Sequence, residues 1–131
     1  MIAHASLPIS SYKKAKEFYK KALAPLGYTL TMDMAEWQAG GFNDGNTKNT
    51  DFWIGQKETV IAGHVAFEAK NKKEVDAFYK AALAAGGKDN GKPGYRKEYW
   101  PGYYAAFIHD ADGNNIEAVF YDYDEEKKSK K

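Results

Sequence analysis

Two patterns of apolar residues, one alternating and one helical, follow each other twice along this chain. Apolar residues alternate along 3–9, at Ala5, Leu7 and Ile9, and again along 63–69, at Val65 and Phe67. Alternation with a period of two indicates a strand that buries one face. Directly afterwards, apolar residues recur at helical spacing over 12–26 and 75–83, which predicts an amphipathic helix after each strand.

The two halves also resemble each other residue by residue. Residues 4–27 align with 64–87 at a constant offset of 60 without a gap, and nine positions are identical. Chance would give about one or two identities over such a window. The shared residues include a histidine at the head of each strand, His4 and His64. The chain is therefore interpreted as a duplicated unit.

Further strands are predicted to complete each unit. They cover 28–34, 36–42 and 51–55 in the first half and 103–109 and 115–121 in the second, with a weaker one at 96–100. The weaker strand follows the turn-rich segment KDNGKPG. Ser10 or Ser11 and Asn71 are predicted to cap the helix starts, and Gly27 and Gly87 the helix ends.

The predicted fold class is α+β. Two tandem βαβββ modules, with one helix each, are expected to form a half-barrel-like curved mixed sheet. A single domain over 1–131 is divided into modules 1–60 and 61–122, and the charged run 123–131 is predicted to be a frayed, solvated tail.

Composition removes several classes of function. The net charge is +1, so no global field attracts nucleic acid or an anionic membrane. The absence of cysteine excludes disulfides, thiolate nucleophiles and cysteine-based metal sites. No apolar run is long enough to cross a bilayer, and the N-terminus does not resemble a secretion signal, so a cytoplasmic protein is expected.

Strand alternation places three candidate metal ligands on one side of the predicted sheets. His4 and His64 lie opposite the apolar residues of their strands, and Glu117 lies opposite Ile116 and Ala118. If helices cover the apolar faces, all three side chains point to the concave side. Two imidazoles and one carboxylate form the triad used by metals that keep open positions for substrate. A surface or core role without metal stays open for each residue.

Three segments carry a resemblance to a known family. They are HASLPISSYKKAKEFYKKALAPLGY, HVAFEAKNKKEVDAFYKAALAAGGKDNGKPGYR and YYAAFIHDADGNNIEAVF. They resemble the vicinal-oxygen-chelate superfamily, which includes glyoxalase I, bleomycin-resistance proteins, fosfomycin-resistance enzymes and extradiol dioxygenases. The resemblance extends to Tyr121, and its most specific parts are the His-led strand, the helix that follows it and the closing DxDGNNIE.

The resemblance implies paired βαβββ modules around a metal cavity, with ligands from the first and last strand of each module. In this chain these positions are His4, His64 and Glu117. They are expected to bind one divalent ion, which is Fe, Mn, Zn, Ni or Co. Glyoxalase I has a fourth ligand where this chain has Trp53, and Asp51 substitutes only if the register slips by two. The pattern is therefore closer to the extradiol dioxygenases. The resemblance also implies a homodimer.

A small-molecule substrate is expected to chelate the metal through neighbouring oxygens, in a lyase, isomerase or ring-cleaving dioxygenase reaction in which Glu117 has the catalytic role. The predicted substrate-binding residues are aromatic or cationic: Trp53, Arg96, Tyr99, and Tyr103 or Tyr104. Only one of the two adjacent tyrosines should face the cavity. His109 is assigned no role.

Two other functions stay open. One is a metal-free binding protein, similar to the bleomycin-resistance proteins, that sequesters a planar aromatic compound against Trp53 and the tyrosines. The other is a structural or regulatory ligand-binding domain without catalysis.

Overall fold

Each half of the chain folds into one helix and four strands, in the predicted order. The computed structural model describes residues 1–45 and 49–130. The first module contains β1 (Ala5–Ile9), α1 (Tyr12–Leu23), β2 (Thr29–Met34), β3 (Ala39–Asn43) and β4 (Phe52–Gln56). The second contains β5 (His64–Glu68), α2 (Lys72–Ala84), β6 (Lys88–Tyr95), β7 (Tyr103–His109) and β8 (Asn115–Tyr121), followed by α3 (Tyr123–Ser129).

The strands form two four-stranded mixed sheets with the same topology. Their orders are β1-β4-β3-β2 and β5-β8-β7-β6. In each sheet the first and last strands of the module pair in parallel, and the remaining neighbours are antiparallel. The α+β class and the tandem βαβββ layout are thus confirmed, although the described residues form two separate sheets and no closed barrel.

The predicted helix starts are confirmed. The Ser11 hydroxyl accepts a hydrogen bond from the Lys14 amide at 3.4 Å, and the Asn71 side chain accepts one from the Glu74 amide at 2.8 Å. At the end of α1, a short 3-10 turn over Ala24–Leu26 precedes Gly27, whose φ of 82° is left-handed. In the second module the left-handed residue is Gly86 rather than the predicted Gly87.

The apolar faces of both sheets and both helices meet in one core. Phe52 of β4 and Phe67 of β5 pack edge to face with ring centroids 5.0 Å apart, which joins the modules directly. Tyr28 also packs on Phe67, at 5.2 Å. The alternation predicted from the sequence is therefore the alternation between this core and the opposite face of each sheet. The largest side chains that are fully buried are Tyr19, Phe42, Phe78, Ile9, Leu23, Ile54, Ile108 and Ile116.

A buried polar network also ties the modules together at the turn before β8. The Asn114 side chain accepts from the Gly63 amide at 2.7 Å and donates to the Pro8 carbonyl at 3.1 Å. It donates further to Asp110, which accepts the Tyr19 hydroxyl proton at 2.6 Å. Because Pro8 and Tyr19 belong to the first module, this network fixes where β8 begins relative to it.

The predicted strand at 96–100 is wrong. These residues form a turn, in which the amides of Tyr99 and Trp100 both donate to the Arg96 carbonyl. The strand is β6 (Lys88–Tyr95), within the segment interpreted as turns. As the edge of its sheet, β6 pairs on one side only and tolerates proline, glycine and two shifts of register.

Two further expectations are corrected. The tail 123–131 was expected to be frayed, but α3 covers Tyr123–Ser129, with Asp122 accepting from the Glu125 amide at 3.1 Å. Acidic residues in the first turn and lysines in the last complement the helix dipole. The predicted strand 36–42 begins with a 3-10 turn, Ala35–Trp37, and β3 starts only at Ala39.

No helix within the described ranges is long and apolar enough to span a membrane.

We expect Asn114→Ala to lower the free energy of unfolding by about 2–4 kcal/mol, because it removes three buried hydrogen bonds and leaves their partners unsatisfied. Urea denaturation followed by circular dichroism measures the change. The exposed Asn90 provides the matched control, since Asn90→Ala should change the free energy by less than about 0.5 kcal/mol. Equal stability of the two variants would contradict a role for Asn114 in joining the modules.

Candidate functional site

The polar face of the second sheet gathers ionisable and aromatic side chains around β8. Glu117 pairs with Ala66 of β5 on one side and with Phe107 of β7 on the other. Its chain neighbours Ile116 and Ala118 are fully buried in the core. Glu117 therefore points to the face opposite the helix, as predicted, and yet it is only 2% exposed.

His64 lies beside this carboxylate. Its Nε2 atom is 3.2 Å from Glu117 Oε1, and its Nδ1 atom is 2.9 Å from the backbone carbonyl of Asn115. A carbonyl only accepts hydrogen bonds, so Nδ1 carries a proton and donates it. In a neutral imidazole, Nε2 then presents a lone pair to the carboxylate. Two acceptors at this distance repel each other unless a proton or another cation lies between them.

Tyr103 holds the other oxygen of the same carboxylate. Its hydroxyl donates to Glu117 Oε2 in a short hydrogen bond. Burial, this hydrogen bond and the charge of Glu117 all raise the pKa of Tyr103, so the phenol stays a donor at neutral pH. Tyr103 thus fixes the orientation of the carboxylate and leaves Oε1 directed at His64.

His4 does not join this pair within the chain. It is exposed and lines a separate cavity of about 390 Å³ on the first sheet, together with Ser6, Trp53 and Lys57. Among residues 1–45 and 49–130, no three His, Asp or Glu side chains lie close enough together to hold a metal ion. The structure brings together two of the three predicted ligands and leaves the third on the other module.

The register settles which residue of the first module corresponds to Glu117. Ser6 pairs with Trp53 in the first sheet, as Ala66 pairs with Glu117 in the second. Trp53 therefore occupies the duplicated position, as predicted, and no slip brings Asp51 there. Asp51 is held further back, where one oxygen accepts the Tyr28 hydroxyl proton at 3.2 Å.

Of the two adjacent tyrosines, only Tyr103 lies on the face of Glu117, which agrees with the alternation of β7. The Tyr104 hydroxyl donates to Asp76 of α2 at 2.7 Å, and burial with this bond raises its pKa to about 12. Tyr104 is thus on the helix side and away from the candidate site. Tyr99 packs edge to face on Tyr103 at 5.3 Å and is 63% exposed.

Arg96 also belongs to this face, through Phe107. Its guanidinium lies over the Phe107 ring at 5.3 Å, and Phe107 is the cross-strand neighbour of Glu117. Two of its nitrogens donate to the carbonyls of Gly94 and Lys92, at 3.0 and 2.6 Å. These bonds hold the positive charge in place over the Phe107 ring.

A family model described as the glyoxalase/bleomycin resistance protein/dioxygenase superfamily matches residues 1–118. The chain belongs to this superfamily. No curated protein matches the sequence significantly. Several solved structures with similar folds carry a related description, at sequence identities that establish the fold alone.

Three structures of the superfamily illustrate this similarity. A glyoxalase/bleomycin resistance protein from Albidiferax ferrireducens T118 is 23% identical, with a TM-score of 0.74 over 90% of this chain and 96% of the other. A family enzyme from Burkholderia phytofirmans PsJN is 13% identical, with a TM-score of 0.68 over 92% and 98%. A putative glyoxalase from Bacillus halodurans is 18% identical, with a TM-score of 0.66 over 92% and 95%.

Sequence reasoning on this superfamily member missed two features of the site. It did not foresee the bond from Tyr103 to Glu117, and it missed Trp100, Tyr121 and Tyr123, which pack near Tyr103. One signal was present, because Tyr121 has the same strand parity as Glu117 on β8. The contact between different strands depends on the antiparallel register of β7 and β8, which alternation alone does not give.

We expect Glu117→Gln to lower the pKa of Tyr103, because the substitution removes the negative charge and weakens the hydrogen bond that favour the protonated phenol. Nuclear magnetic resonance of ¹³Cζ-labelled tyrosine measures the titration. The Tyr104 pKa of about 12 depends on Asp76 and should not change in this variant, so it is an internal control. A Tyr103 titration that is the same in both proteins would contradict the bond.

Proposed function

We propose that this chain is a metal-dependent enzyme for a small molecule with two neighbouring oxygen atoms. His64 and Glu117 of one chain and His4 of a second copy hold one divalent metal ion. The observation that carries this proposal is the contact of His64 Nε2 with Glu117 Oε1 at 3.2 Å, with Nδ1 committed to a carbonyl. The arrangement calls for a cation between two acceptors.

The donor set fits such an ion. With bonds of about 2.1 Å, two neighbouring ligand atoms on one metal are roughly 3.0–3.4 Å apart. The observed separation of 3.2 Å falls in this range. Metal-bound histidines commonly donate their second nitrogen to a carbonyl, and metal-bound carboxylates are commonly hydrogen-bonded in turn. Asn115 and Tyr103 occupy these two supporting positions.

A second copy of the chain accounts for the position of His4. The duplicated modules each carry half of a ligand set on the face away from the core, and the histidine of each half is exposed. Two-fold pairing of the first module with the second module of a partner buries the same surface twice and gives two equal sites. This pairing supports the homodimer implied by the resemblance.

When bound, the metal acts as a Lewis acid toward the neighbouring oxygens of the substrate. Glu117 is the group that holds or moves a proton at Oε1, because Tyr103 already occupies Oε2. Arg96, fixed over Phe107, attracts an anionic group of the substrate to this face. Tyr99 and Tyr103 from one chain, with Trp53 from its partner, flank the substrate and exclude water.

A second candidate function is the metal-free binding of a planar aromatic compound. The aromatic walls provided by Tyr99 and Tyr103 favour it, since they are built within one chain and need no metal. Metal content distinguishes the two candidates.

We expect protein purified without a histidine tag to bind close to one equivalent of transition metal per chain. His64→Ala and Glu117→Ala should lower the affinity by roughly 100-fold or more, and Tyr103→Phe by about 10- to 100-fold. Elemental analysis after dialysis against metal buffers measures this. His109→Ala is the matched control and should bind like the wild type. Metal-free wild-type protein that takes up no added metal would contradict the proposal.

Mixed dimers test whether the site spans two chains. We expect His4→Ala and His64→Ala chains to bind little metal alone and to regain roughly a quarter of the wild-type sites after unfolding and refolding together. The fraction follows because half of randomly formed dimers are mixed and each of these has one intact site of two. A mixture that binds no more metal than its components would contradict the shared site.

Two activity assays distinguish the two candidate reaction classes. Oxygen consumption with catechols after anaerobic Fe(II) loading indicates a dioxygenase, whereas conversion of the methylglyoxal–glutathione adduct indicates a glyoxalase reaction. Glu117→Gln should lower the rate in either assay by at least about 100-fold. Activity that is unchanged in Glu117→Gln would remove the catalytic role of this residue.

A further inference from the structure

Five aromatic side chains line an open surface cavity of about 370 Å³ at one end of the second sheet. We call this set the aromatic cage; it consists of Tyr99, Trp100, Tyr103, Tyr121 and Tyr123. They come from the turn before β7, the start of β7, the end of β8 and the start of α3. The volume lies at the small end of the range for ligand cavities, ~300–1,000 Å³.

The rings of the cage are nearly perpendicular to one another. Tyr103 packs on Tyr99 at 5.3 Å and on Tyr121 at 5.7 Å, and Trp100 packs on Tyr121 at 5.9 Å and on Tyr123 at 5.4 Å. The angles between ring planes are 81°, 78°, 66° and 71° in the same order. Neighbouring rings therefore face in different directions, so a compact charged group can meet more than one ring face. The electron-rich faces of such walls attract cations.

The cage is fixed by backbone contacts as well as by ring packing. The Asp122 amide donates to the Gly102 carbonyl at 2.7 Å, which holds the turn before β7 against the end of β8. A Cβ atom on Gly102 would collide with the Asp122 carbonyl, so only glycine allows this approach. The walls from the turn and from α3 are therefore held in position before a ligand arrives.

Two carboxylates, Glu68 and Glu117, act on tyrosines of the cage. Glu117 accepts the Tyr103 hydroxyl proton, and every residue that lines the cavity is aromatic. After burial, the charges of Glu68 and Glu117 are the main causes that raise the pKa of Tyr121. The hydroxyls of Tyr103 and Tyr121 therefore lie in a negative potential, which favours a cationic ligand over a neutral one.

We propose that the aromatic cage binds an organic cation of the quaternary or alkylated ammonium class. Ring faces that meet a compact charged group from several directions recognise it through cation–π attraction, and nearby carboxylates add charge complementarity. The cage shares Tyr99 and Tyr103 with the proposed substrate site, but it is built within one chain and needs no metal, so cation binding does not rest on the proposed enzymatic function.

Choline and its neutral isostere 3,3-dimethylbutan-1-ol form the matched pair of probes. They have the same shape and differ in the charge of the head group. We expect saturable binding of choline to the full chain by isothermal calorimetry in the presence of a metal chelator, and binding of the neutral isostere to be roughly 10-fold weaker. Equal affinity for both probes, or no binding of choline, would overturn the proposal.

Variants at the exposed walls locate the site. Tyr99 and Tyr123 are 63% and 62% exposed, so their replacement leaves the fold intact. We expect Tyr99→Leu and Tyr123→Leu each to weaken choline binding by about 2- to 30-fold, and Tyr99→Phe, which keeps the ring, to change it little. Trp37 is 72% exposed on the other module, and Trp37→Leu is the control.

Separate measurements test the proposed metal site and the proposed cation binding by the cage, so either proposal can be contradicted without the other. His64→Ala should abolish metal binding and leave choline binding unchanged, since His64 does not line the cage. Choline binding that is lost in His64→Ala, or that is insensitive to Tyr99→Leu and Tyr123→Leu, would contradict a cage that binds cations without His64. Failure of the wild type to bind metal would leave the choline result intact.

Discussion

The carboxylate of Glu117 is the constraint on which the candidate site depends. It is 2% exposed, and burying an unpaired carboxylate is costly. Tyr103 satisfies one oxygen, whereas His64 faces the other with its Nδ1 proton already donated elsewhere. The second oxygen is therefore satisfied only with a positive charge between it and the imidazole. Burial and hydrogen bonding thus favour a proton or another cation at this point on the polar face of the second sheet, which is the proposed seat of the metal ion.

The packing of the two modules determines where that seat lies. Asn114 and Asp110 connect the start of β8 to the first module, and so they fix the strand that carries Glu117. The two duplicated modules share a fold but differ in the residues on their polar faces, since the first has Trp53 where the second has Glu117. One module consequently offers a histidine beside an aromatic wall, and the other offers a histidine beside a carboxylate. Both halves carry these groups on the side away from the shared core.

Much of the fold followed from the sequence because duplication and alternation are local signals. The faces of β1, β5 and β8 and the caps at Ser11 and Asn71 depend on residues near in sequence, and the position of Trp53 followed from the duplication. The errors arose where neighbours distant in sequence decide. β6 is a strand because β7 offers it a partner, despite its glycines and proline, and α3 is a helix because Asp122 caps it and Tyr95 binds Asp122. The bond from Tyr103 to Glu117 and the meeting of four segments in the aromatic cage likewise depend on tertiary structure, which alternation does not encode.

X-ray absorption spectroscopy of Co(II)-loaded protein most directly tests the claim that His64 and Glu117 hold a cation. The fine structure counts imidazole ligands and reports the distances of oxygen and nitrogen donors. We expect two imidazoles and at least one carboxylate oxygen for each cobalt ion in the wild type, with one imidazole fewer in His64→Ala. A spectrum without imidazole scattering, or one that His64→Ala leaves unchanged, would contradict the proposed seat.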